Sequence, residues 1–275
     1  MEKVLEDVIK SSMIAKGKLE HNIYGKIYYC SNERLYDLFD NFSVEDKDVL
    51  TVLASSDQYL HTQYRNARSV DTFDRNQLTL YYYYLRKWII ENFDRFYPKR
   101  ALLFDTNNYI EKILDIVDCE SLDEKRAYLF WKMFIDLNLV LGENHLFMFS
   151  KYIEENEIND YDKLREIVKK PLSFVHEDVA IQVEKDKKYD IIITSNLLEY
   201  IHEPLKIKRA RNNLYDLLKD NGKIICSYVI DDEETNSIKN QKSIFSEYFD
   251  VYDFPYSGKN ENSLGRPLGY CYTKK

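Results

Sequence analysis

The sequence has little glycine, few cysteines and no long apolar run, and each shortage excludes a class of protein. Only 7 of its 275 residues are glycine, and the absence of a G-x-G-x-x-G turn counts against a fold that holds a dinucleotide pyrophosphate. The 4 cysteines are far apart and form no C-x-x-C pair, so neither a zinc cluster nor a dense disulfide framework is indicated. No apolar run approaches the roughly 18 residues that a membrane span needs.

Charge and composition narrow the class further. The formal net charge of -8 argues against holding a nucleic-acid backbone by bulk electrostatics, so nucleic acid is not an expected partner. Hydrophobic residues make up 44% of the chain, which is enough to form a packed core. The charged N-terminus is unlike a signal peptide, and the separated cysteines fit a reducing compartment. We therefore predict a cytoplasmic protein.

Short apolar runs rich in β-branched residues alternate with helical patterns. They predict seven strands, at residues 48–54, 69–73, 172–175, 189–194, 223–229, 248–254 and 269–273. Between the second and third strands, residues 99–170 show helical patterning only. We therefore predict an α/β fold: a doubly wound, mostly parallel seven-stranded sheet with an all-helical insertion and an antiparallel C-terminal hairpin. Residues 1–47 would form a helical cover segment, and residues 48–275 the α/β domain.

Two local patterns predict details of this fold. Asn221-Gly222 predicts a turn at the end of the helix that precedes the fifth strand, because a left-handed helix end favours glycine or asparagine. Four consecutive tyrosines, Tyr81 to Tyr84, lie on a predicted helix. Successive helical residues turn by about 100°, so we expect only Tyr81 and Tyr82 to fill the core.

The ends of the first two strands carry the residues of most interest, because such sheets bind ligands there. The turn after the first strand contains Ala54, Ser55, Ser56 and Asp57, whose small side chains would let backbone approach a ligand; an ordinary polar turn is the alternative. Asp74 ends the second strand, about 20 residues further on, where a carboxylate can accept both hydroxyls of a ribose. Alternatively, Asp74 or Asn76 could cap the next helix.

Further polar residues follow the third and fourth strands. Asp178 lies where it could accept from an adenine amine, and Ser195 and Asn196 could contact a ligand ammonium or a substrate nucleophile. Tyr200 and His202 are the candidate catalytic proton acceptors, the alternative being that Tyr200 packs and His202 is solvated. The histidines are isolated, so no metal site is predicted.

Taken in order, these segments resemble a known family. ASSDQ, SVDTFDRNQ, FVHEDV, YDIIITSNLLEYI, LLKDNGKIICSYV and FDVYDFP…GYCYT are similar to the motif series of the class I S-adenosylmethionine-dependent methyltransferases, from about residue 48 to the C-terminus. The resemblance implies S-adenosyl-L-methionine as cofactor. The cofactor-binding residues that it implies are Ala54, Ser55, Ser56, Asp57, Asp74, Arg75, Asp178, Ser195 and Asn196. The departure from the family is the first motif, where small residues replace glycines.

A narrower group explains that departure. The S-adenosylmethionine:diacylglycerol 3-amino-3-carboxypropyl transferases have an S-x-x-D-N-like first motif and a D-x-N-x-x-Q second motif. Ser55-Ser56-Asp57-Gln58 (shortened by one position) and Asp74-Arg75-Asn76-Gln77 are similar to these, and Tyr29-Cys30-Ser31-Asn32-Glu33 resembles the group's entry segment. That group also has a helical insert after its second motif.

Three functions follow from the resemblance. The first is methyl transfer from S-adenosylmethionine to a small-molecule or lipid-like acceptor, and the second is 3-amino-3-carboxypropyl transfer from the same cofactor. The third is a non-catalytic protein that senses the cofactor or binds a partner. The helical insertion would select the substrate or form a homodimer. Two covers over the site are also expected, Tyr24, Tyr28 and Tyr29 before the first strand, and Tyr256, Lys259 and Arg266 in the last hairpin; a solvated loop is the alternative for the second.

Overall fold

A seven-stranded sheet forms the centre of the molecule in a computed structural model of the chain. The structure describes residues 2–15, 27–28, 31, 33–93, 106–137, 146–147, 158–179, 187–229, 237–254 and 268–275. The strands of this sheet are β2 (Asp48–Val52), β3 (Ser69–Asp74), β5 (Ser173–His176), β6 (Tyr189–Ile193), β7 (Leu218–Val229), β8 (Phe249–Phe254) and β9 (Leu268–Lys274). Two residue pairs, β1 (Ile27–Tyr28) and β4 (Leu146–Phe147), join in parallel outside it.

The helices lie between these strands. They are α1 (Glu2–Ala15), α2 (Leu35–Asn41), α3 (Asp57–Tyr64), α4 (Gln77–Asn92), α5 (Thr106–Leu114), α6 (Leu122–Asp136), α7 (Tyr161–Val168), α8 (Pro204–Leu217) and α9 (Ser237–Phe245), with a 3₁₀ turn at Leu197–Tyr200. In the described parts of the predicted insertion, residues 99–170, three segments are helical, α5, α6 and α7. The insertion is not all-helical as predicted, because β4 (Leu146–Phe147) also lies in this range and pairs with β1. No helix in these ranges has both the length and the apolar character required to cross a membrane.

The strand order of the sheet is β5-β3-β2-β6-β7-β9-β8. Neighbouring strands from β5 to β7 are parallel, whereas β9 runs antiparallel to both β7 and β8. The predicted doubly wound, mostly parallel sheet with an antiparallel C-terminal hairpin is therefore confirmed. Because β2, β3 and β6 are adjacent and parallel, their C-terminal ends meet at one edge of the sheet.

Both faces of the central strands are buried, which explains their continuous apolar sequence. Leu50 and Ile192 pack in one cluster with residues of α8, while Val49 and Ile191 pack in another with residues of α2. Successive residues of a strand point to opposite faces, so a strand covered on both sides needs an apolar residue at every position.

All four residues of the tyrosine run are buried, so the expectation that Tyr83 and Tyr84 point outward was wrong. The run lies on α4, which is enclosed on several sides. Tyr83 packs edge-on against Tyr59 of α3, with ring centroids 5.5 Å apart, and Phe130 of α6 stacks on Tyr81 at 4.7 Å. A helix that is apolar all round is typical of a buried helix. Helices α5, α6 and α7, which we call the helical layer, contribute residues to the same core cluster as α4 and bury its remaining sides.

The first helix packs on the same layer. Val4 and Val8 of α1 belong to the core cluster that contains the tyrosines, and the Tyr81 hydroxyl donates to Asp7 Oδ2 at 2.9 Å. Residues 1–47 thus contribute to two cores, α1 to the helical layer and α2 to one face of the sheet.

Asn221-Gly222 does not form the predicted turn at a helix end; it lies inside β7. Tyr189 pairs with Leu218 and Ile191 with Lys223, so β7 carries extra residues that bulge out between these pairs. Asn221 has the left-handed φ of 59° that the pattern anticipated, but it serves the bulge. A Cβ at Gly222 would lie 2.8 Å from the Lys219 carbonyl oxygen, so the close approach there requires glycine.

The bulge places Lys219 in an ion cluster at the N-terminal ends of the strands. Its Nζ lies 2.7 Å from Asp48 Oδ2 and 2.9 Å from Asp190 Oδ2, and Arg68 Nε donates to Asp48 Oδ1 at 3.0 Å. The Arg68 guanidinium beside Asp48, helped by Lys219 and Ser69, holds the pKa of that carboxyl well below its usual range.

This lowered pKa predicts how Asp48→Asn changes stability with pH. A carboxylate whose pKa is lower in the folded state stabilises the fold above its unfolded pKa of about 4, and that stabilisation is lost as the pH falls. We therefore expect the melting temperature of wild type to exceed that of Asp48→Asn at pH 7, and the difference to shrink below pH ~4. Thermal unfolding from pH 7 to pH 3 measures it.

The control for this comparison is Asp250→Asn, because the side chain of Asp250 is 78% exposed and lies 3.9 Å from Lys275. The melting temperature of Asp250→Asn should stay close to that of wild type at every pH. If the melting temperatures of wild type and Asp48→Asn differ by the same amount at every pH, the ion cluster is not the cause of the difference.

Candidate functional site

The turn between β2 and α3 adopts left-handed backbone conformations without glycine. Ala54 has a φ of 43° and Ser56 a φ of 68°, and at the end of the neighbouring strand β6 Ser195 has a φ of 54°. Side chains with a Cβ rarely adopt these angles, which glycine adopts readily. The backbone of the turn thus has the shape that glycines would favour.

Asp74 ties this turn to the end of β3. Its Oδ2 accepts from the Ala54 backbone N–H at 3.0 Å, and its Oδ1 accepts from the Asn76 N–H at 2.9 Å. The side-chain cap of α4 is Asn76, which accepts from Leu78 N at 3.1 Å, so Asp74 is not that cap. Burial raises the pKa of the Asp74 carboxyl, and the two backbone N–H groups partly oppose that effect.

Arg86 of α4, which the sequence did not single out, holds the same turn from the other side. Its Nη2 lies 2.8 Å from Asp57 Oδ1, its Nη1 donates to the Ser55 carbonyl oxygen, and Nη1 also lies 3.2 Å from Ser56 Oγ. Ser55 Oγ in turn donates to Asp57 Oδ2 at 2.9 Å. One guanidinium therefore fixes three consecutive residues of the predicted first motif.

Glu33 enters the site from the segment before α2. It is fully buried, and its carboxylate accepts from the hydroxyls of Ser195 and Ser227 and from Gln58 Nε2 at 3.4 Å. Burial raises the pKa of the Glu33 carboxyl, against the effect of these donors. One feature of the sequence indicates this role, the resemblance of residues 29–33 to an entry segment, although that resemblance does not single out Glu33.

Ser31 and Gln58 complete the polar cluster. The Ser31 N–H donates to Asp57 Oδ2 at 2.6 Å, and Gln58 Nε2 lies 3.3 Å from Ser31 Oγ. The other end of the same amide, Gln58 Oε1, is buried and has no hydrogen-bond partner among the residues that the structure describes. A buried acceptor without a donor is costly, and at a candidate site it indicates a place for a ligand donor.

The end of β5 lies beside Asp74. The Glu177 N–H donates to the Asp74 carbonyl oxygen at 3.0 Å, which brings the partly exposed Asp178 to the same edge of the sheet. His176 Nε2 contacts the Arg75 carbonyl oxygen at 2.8 Å, and the Arg75 side chain is exposed. The structure therefore places Asp178 and Arg75 at the rim of the site.

The two candidate proton acceptors lie further out. Tyr200 is 54% exposed, and its hydroxyl is 3.4 Å from Asn196 Nδ2. His202 is exposed. Within the described ranges, neither side chain hydrogen-bonds to the cluster around Asp57 and Asp74. The two covering segments with Tyr24, Tyr29, Tyr256, Lys259 and Arg266 lie outside the described residues, as does the side chain of Tyr28.

Comparisons with known proteins give one family match. The model of the nodulation protein S (NodS) family matches residues 155–233, which span β5 to β7. No curated protein matches the chain.

Solved structures similar to this chain are distant in sequence. NodS, an N-methyltransferase from Bradyrhizobium japonicum WM9 in complex with S-adenosyl-L-homocysteine, is 10% identical, with a TM-score of 0.42 over 88% of this chain and 83% of that one. The glycopeptide N-methyltransferase MtfA, also with S-adenosyl-L-homocysteine, is 9% identical, with a TM-score of 0.47 over 90% and 92%. An S-adenosylmethionine-dependent methyltransferase from Clostridium acetobutylicum ATCC 824 is 7% identical, with a TM-score of 0.46 over 97% and 96%.

Proposed function

We propose that this protein is an S-adenosylmethionine-dependent methyltransferase that acts on a small-molecule or lipid-like acceptor. The observation that carries the proposal is Asp74, a buried carboxylate at the end of β3 that is bonded to a left-handed turn at the end of β2. In an open α/β sheet this is where a nucleoside binds, with its ribose hydroxyls on the acid. The order of the sequence motifs and the NodS family match support the same cofactor.

The residues of the candidate site fit S-adenosylmethionine. Asp74 would accept from the ribose hydroxyls, and Asp178 at the rim would accept from the adenine amine. Glu33 adds a carboxylate to the opposite part of the site, which suits a cationic ligand, whereas the charge of Asp57 is balanced by Arg86. Gln58 Oε1, which has no partner in the described part of the chain, offers an acceptor to a ligand donor.

For methyl transfer, the main contribution of the protein is to position the reactants. When bound, S-adenosylmethionine supplies an electrophilic methyl group on a sulfonium, which an acceptor nucleophile attacks in line. The protein's task is to position the acceptor and exclude water around the reacting atoms. We assign Ser195 and Asn196 to contact with the cofactor or with the acceptor nucleophile, and Tyr200 and His202 to removing the acceptor's proton.

Transfer of the 3-amino-3-carboxypropyl group is the second candidate. It is favoured by the glycine-free first motif, Ser55-Ser56-Asp57-Gln58, and by the second motif that begins at Asp74. The two reactions use the same cofactor and differ in which carbon faces the nucleophile.

Other features of the protein follow from the proposal. We place it in the cytoplasm, since its cysteines at 119, 226 and 271 are free thiols. Residues 1–47 would cover the cofactor, and the insertion 99–170 would select the acceptor or form a homodimer. Its acidity disfavours nucleic acid as acceptor.

Calorimetric titration and product analysis test the proposed function. We expect S-adenosylmethionine and S-adenosylhomocysteine to bind with micromolar affinity and NADH not to bind. Turnover with an acceptor should yield S-adenosylhomocysteine, whereas methylthioadenosine would identify aminocarboxypropyl transfer. Binding without turnover across acceptor classes would favour a cofactor sensor, and failure to bind at millimolar concentration would contradict the proposal.

A further inference from the structure

The segment before α2 contributes polar groups to the edge of the sheet where β2, β6 and β7 end. Ser31 and Glu33 belong to this segment, and both are buried. Their partners lie far away along the chain: Ser195 follows β6, Ser227 lies in β7, and Gln58 lies in the first turn of α3. The segment is therefore part of the wall of the candidate site.

The cluster is held in one geometry by its own hydrogen bonds. The Glu33 N–H donates to Ser31 Oγ at 3.1 Å, which also accepts from Gln58 Nε2. Ser227 Oγ donates to Glu33 Oε2 at 2.7 Å, and the Ser195 hydroxyl donates to Oε1. Because both carboxylate oxygens and the amide nitrogen are fixed, the acceptors here are preorganised before any ligand arrives.

Gln58 Oε1, the buried amide oxygen that has no hydrogen-bond donor among the described residues, belongs to this cluster. Gln58 is 2% exposed, and its Nε2 faces Glu33 and Ser31. The amide oxygen and nitrogen share one carbon, so Oε1 lies next to the atom that contacts Glu33. A carboxylate beside an amide oxygen offers two acceptors to one group, and an ammonium has three donors and no acceptor.

We infer that Glu33 and Gln58 bind the ammonium group at the amino-acid end of the cofactor. The inference rests on the proposed function. It gives a ligand to Glu33, which lies before residue 48 and so outside the methyltransferase motif series, in the segment that resembles the narrower group's entry segment. It assigns specificity for the amino-acid arm to the segment before α2, while Asp74 serves the nucleoside.

The site also predicts proton release on binding. Burial raises the pKa of Glu33, and an ammonium against the carboxylate favours its charged form. The other titratable groups that face it are Asp57 from α3, which is paired with Arg86 of α4, and the buried thiol of Cys226 in β7, whose pKa burial raises to about 12. Affinity for the ammonium-bearing ligand should therefore rise as the pH rises through the pKa of Glu33.

The test compares two ligands on the full chain by calorimetry. S-adenosylhomocysteine has the ammonium, and methylthioadenosine lacks the whole arm that bears it. In Glu33→Gln we expect about 10- to 100-fold weaker binding of S-adenosylhomocysteine, since one charge-assisted hydrogen bond is lost. Methylthioadenosine should bind within about twofold of wild type, because the nucleoside contacts remain. The matched control is Glu203→Gln, an exposed acid in an ion pair with Lys206, which should change neither affinity.

The deciding quantity is the ratio of the two affinities. If Glu33→Gln lacks a cooperative thermal transition, the same ratio is read from Gln58→Met, which removes the orphaned oxygen. An unchanged ratio in a folded variant, with both ligands bound by wild type, overturns the inference and leaves the proposed function standing. A wild type that binds neither ligand overturns the proposed function and the inference together.

Discussion

Replacing Asp74 with alanine should lower the affinity for S-adenosylmethionine at least 100-fold. The ribose hydroxyls would lose the two charge-assisted hydrogen bonds that they donate to the carboxylate, each of which contributes about 1.5–3 kcal/mol. Its removal also leaves the Ala54 and Asn76 N–H groups without their acceptor, so the left-handed turn loses one of its supports. Calorimetric titration of S-adenosylmethionine into wild type and Asp74→Ala measures the loss.

The matched control is Asp71→Asn on the same strand. Asp71 accepts from the Tyr189 hydroxyl at 2.9 Å and from Lys187 Nζ at 3.1 Å, and it lies three residues before the end of β3. Its substitution should change affinity by no more than about twofold, since no ligand contact is lost. Binding by Asp74→Ala within threefold of wild type would remove the main support for the proposed nucleoside site.

Replacing Arg86 with methionine should lower the free energy of unfolding by about 2–4 kcal/mol. Removing one partner of a largely buried ion pair leaves the other charge without compensation. The side chains of Arg86 and Asp57 are only 19% and 8% exposed, and Arg86 also donates to Ser55 and Ser56. Methionine keeps most of the apolar stem, so the loss reports the charged group. Urea denaturation measures it.

Arg126→Met is the control for that measurement. The side chain of Arg126 is 48% exposed, and it pairs with Asp123 at 3.1 Å on the surface of α6. Exposed pairs contribute little, so its substitution should stay within about 0.5 kcal/mol of wild type. A loss of less than about 1 kcal/mol for Arg86→Met would mean that the turn does not depend on this guanidinium.

The strands of the fold could be predicted because each is a local pattern. Residues 189–193 are apolar at almost every position, and strands covered on both faces are typically so. The C-terminal ends of such strands converge whatever the rest of the chain does, so Ala54, Asp74 and Ser195 could be named from the order of elements alone.

What the sequence did not predict depends on contacts between distant segments. Glu33 meets Ser195 and Ser227 across 162 and 194 residues, and no periodicity connects residues so far apart. Arg86 lies on a helix whose pattern reports only burial, and the partner that gives it a role is in another turn. Burial of Tyr83 and Tyr84 likewise depends on helices that pack from outside the sheet.

The left-handed conformations of Ala54 and Ser56 show that a turn can adopt the backbone shape of a binding turn without the glycines that usually form it. Each costs about 1–2 kcal/mol relative to a residue in a favourable conformation, and the bonds from Asp74 and Arg86 oppose that cost. Evolution can therefore exchange the glycines of a signature for small residues wherever neighbouring side chains hold the backbone. Patterns written in residue names will pass over such chains, whereas a signature written in backbone angles and in the donors around them would retain them.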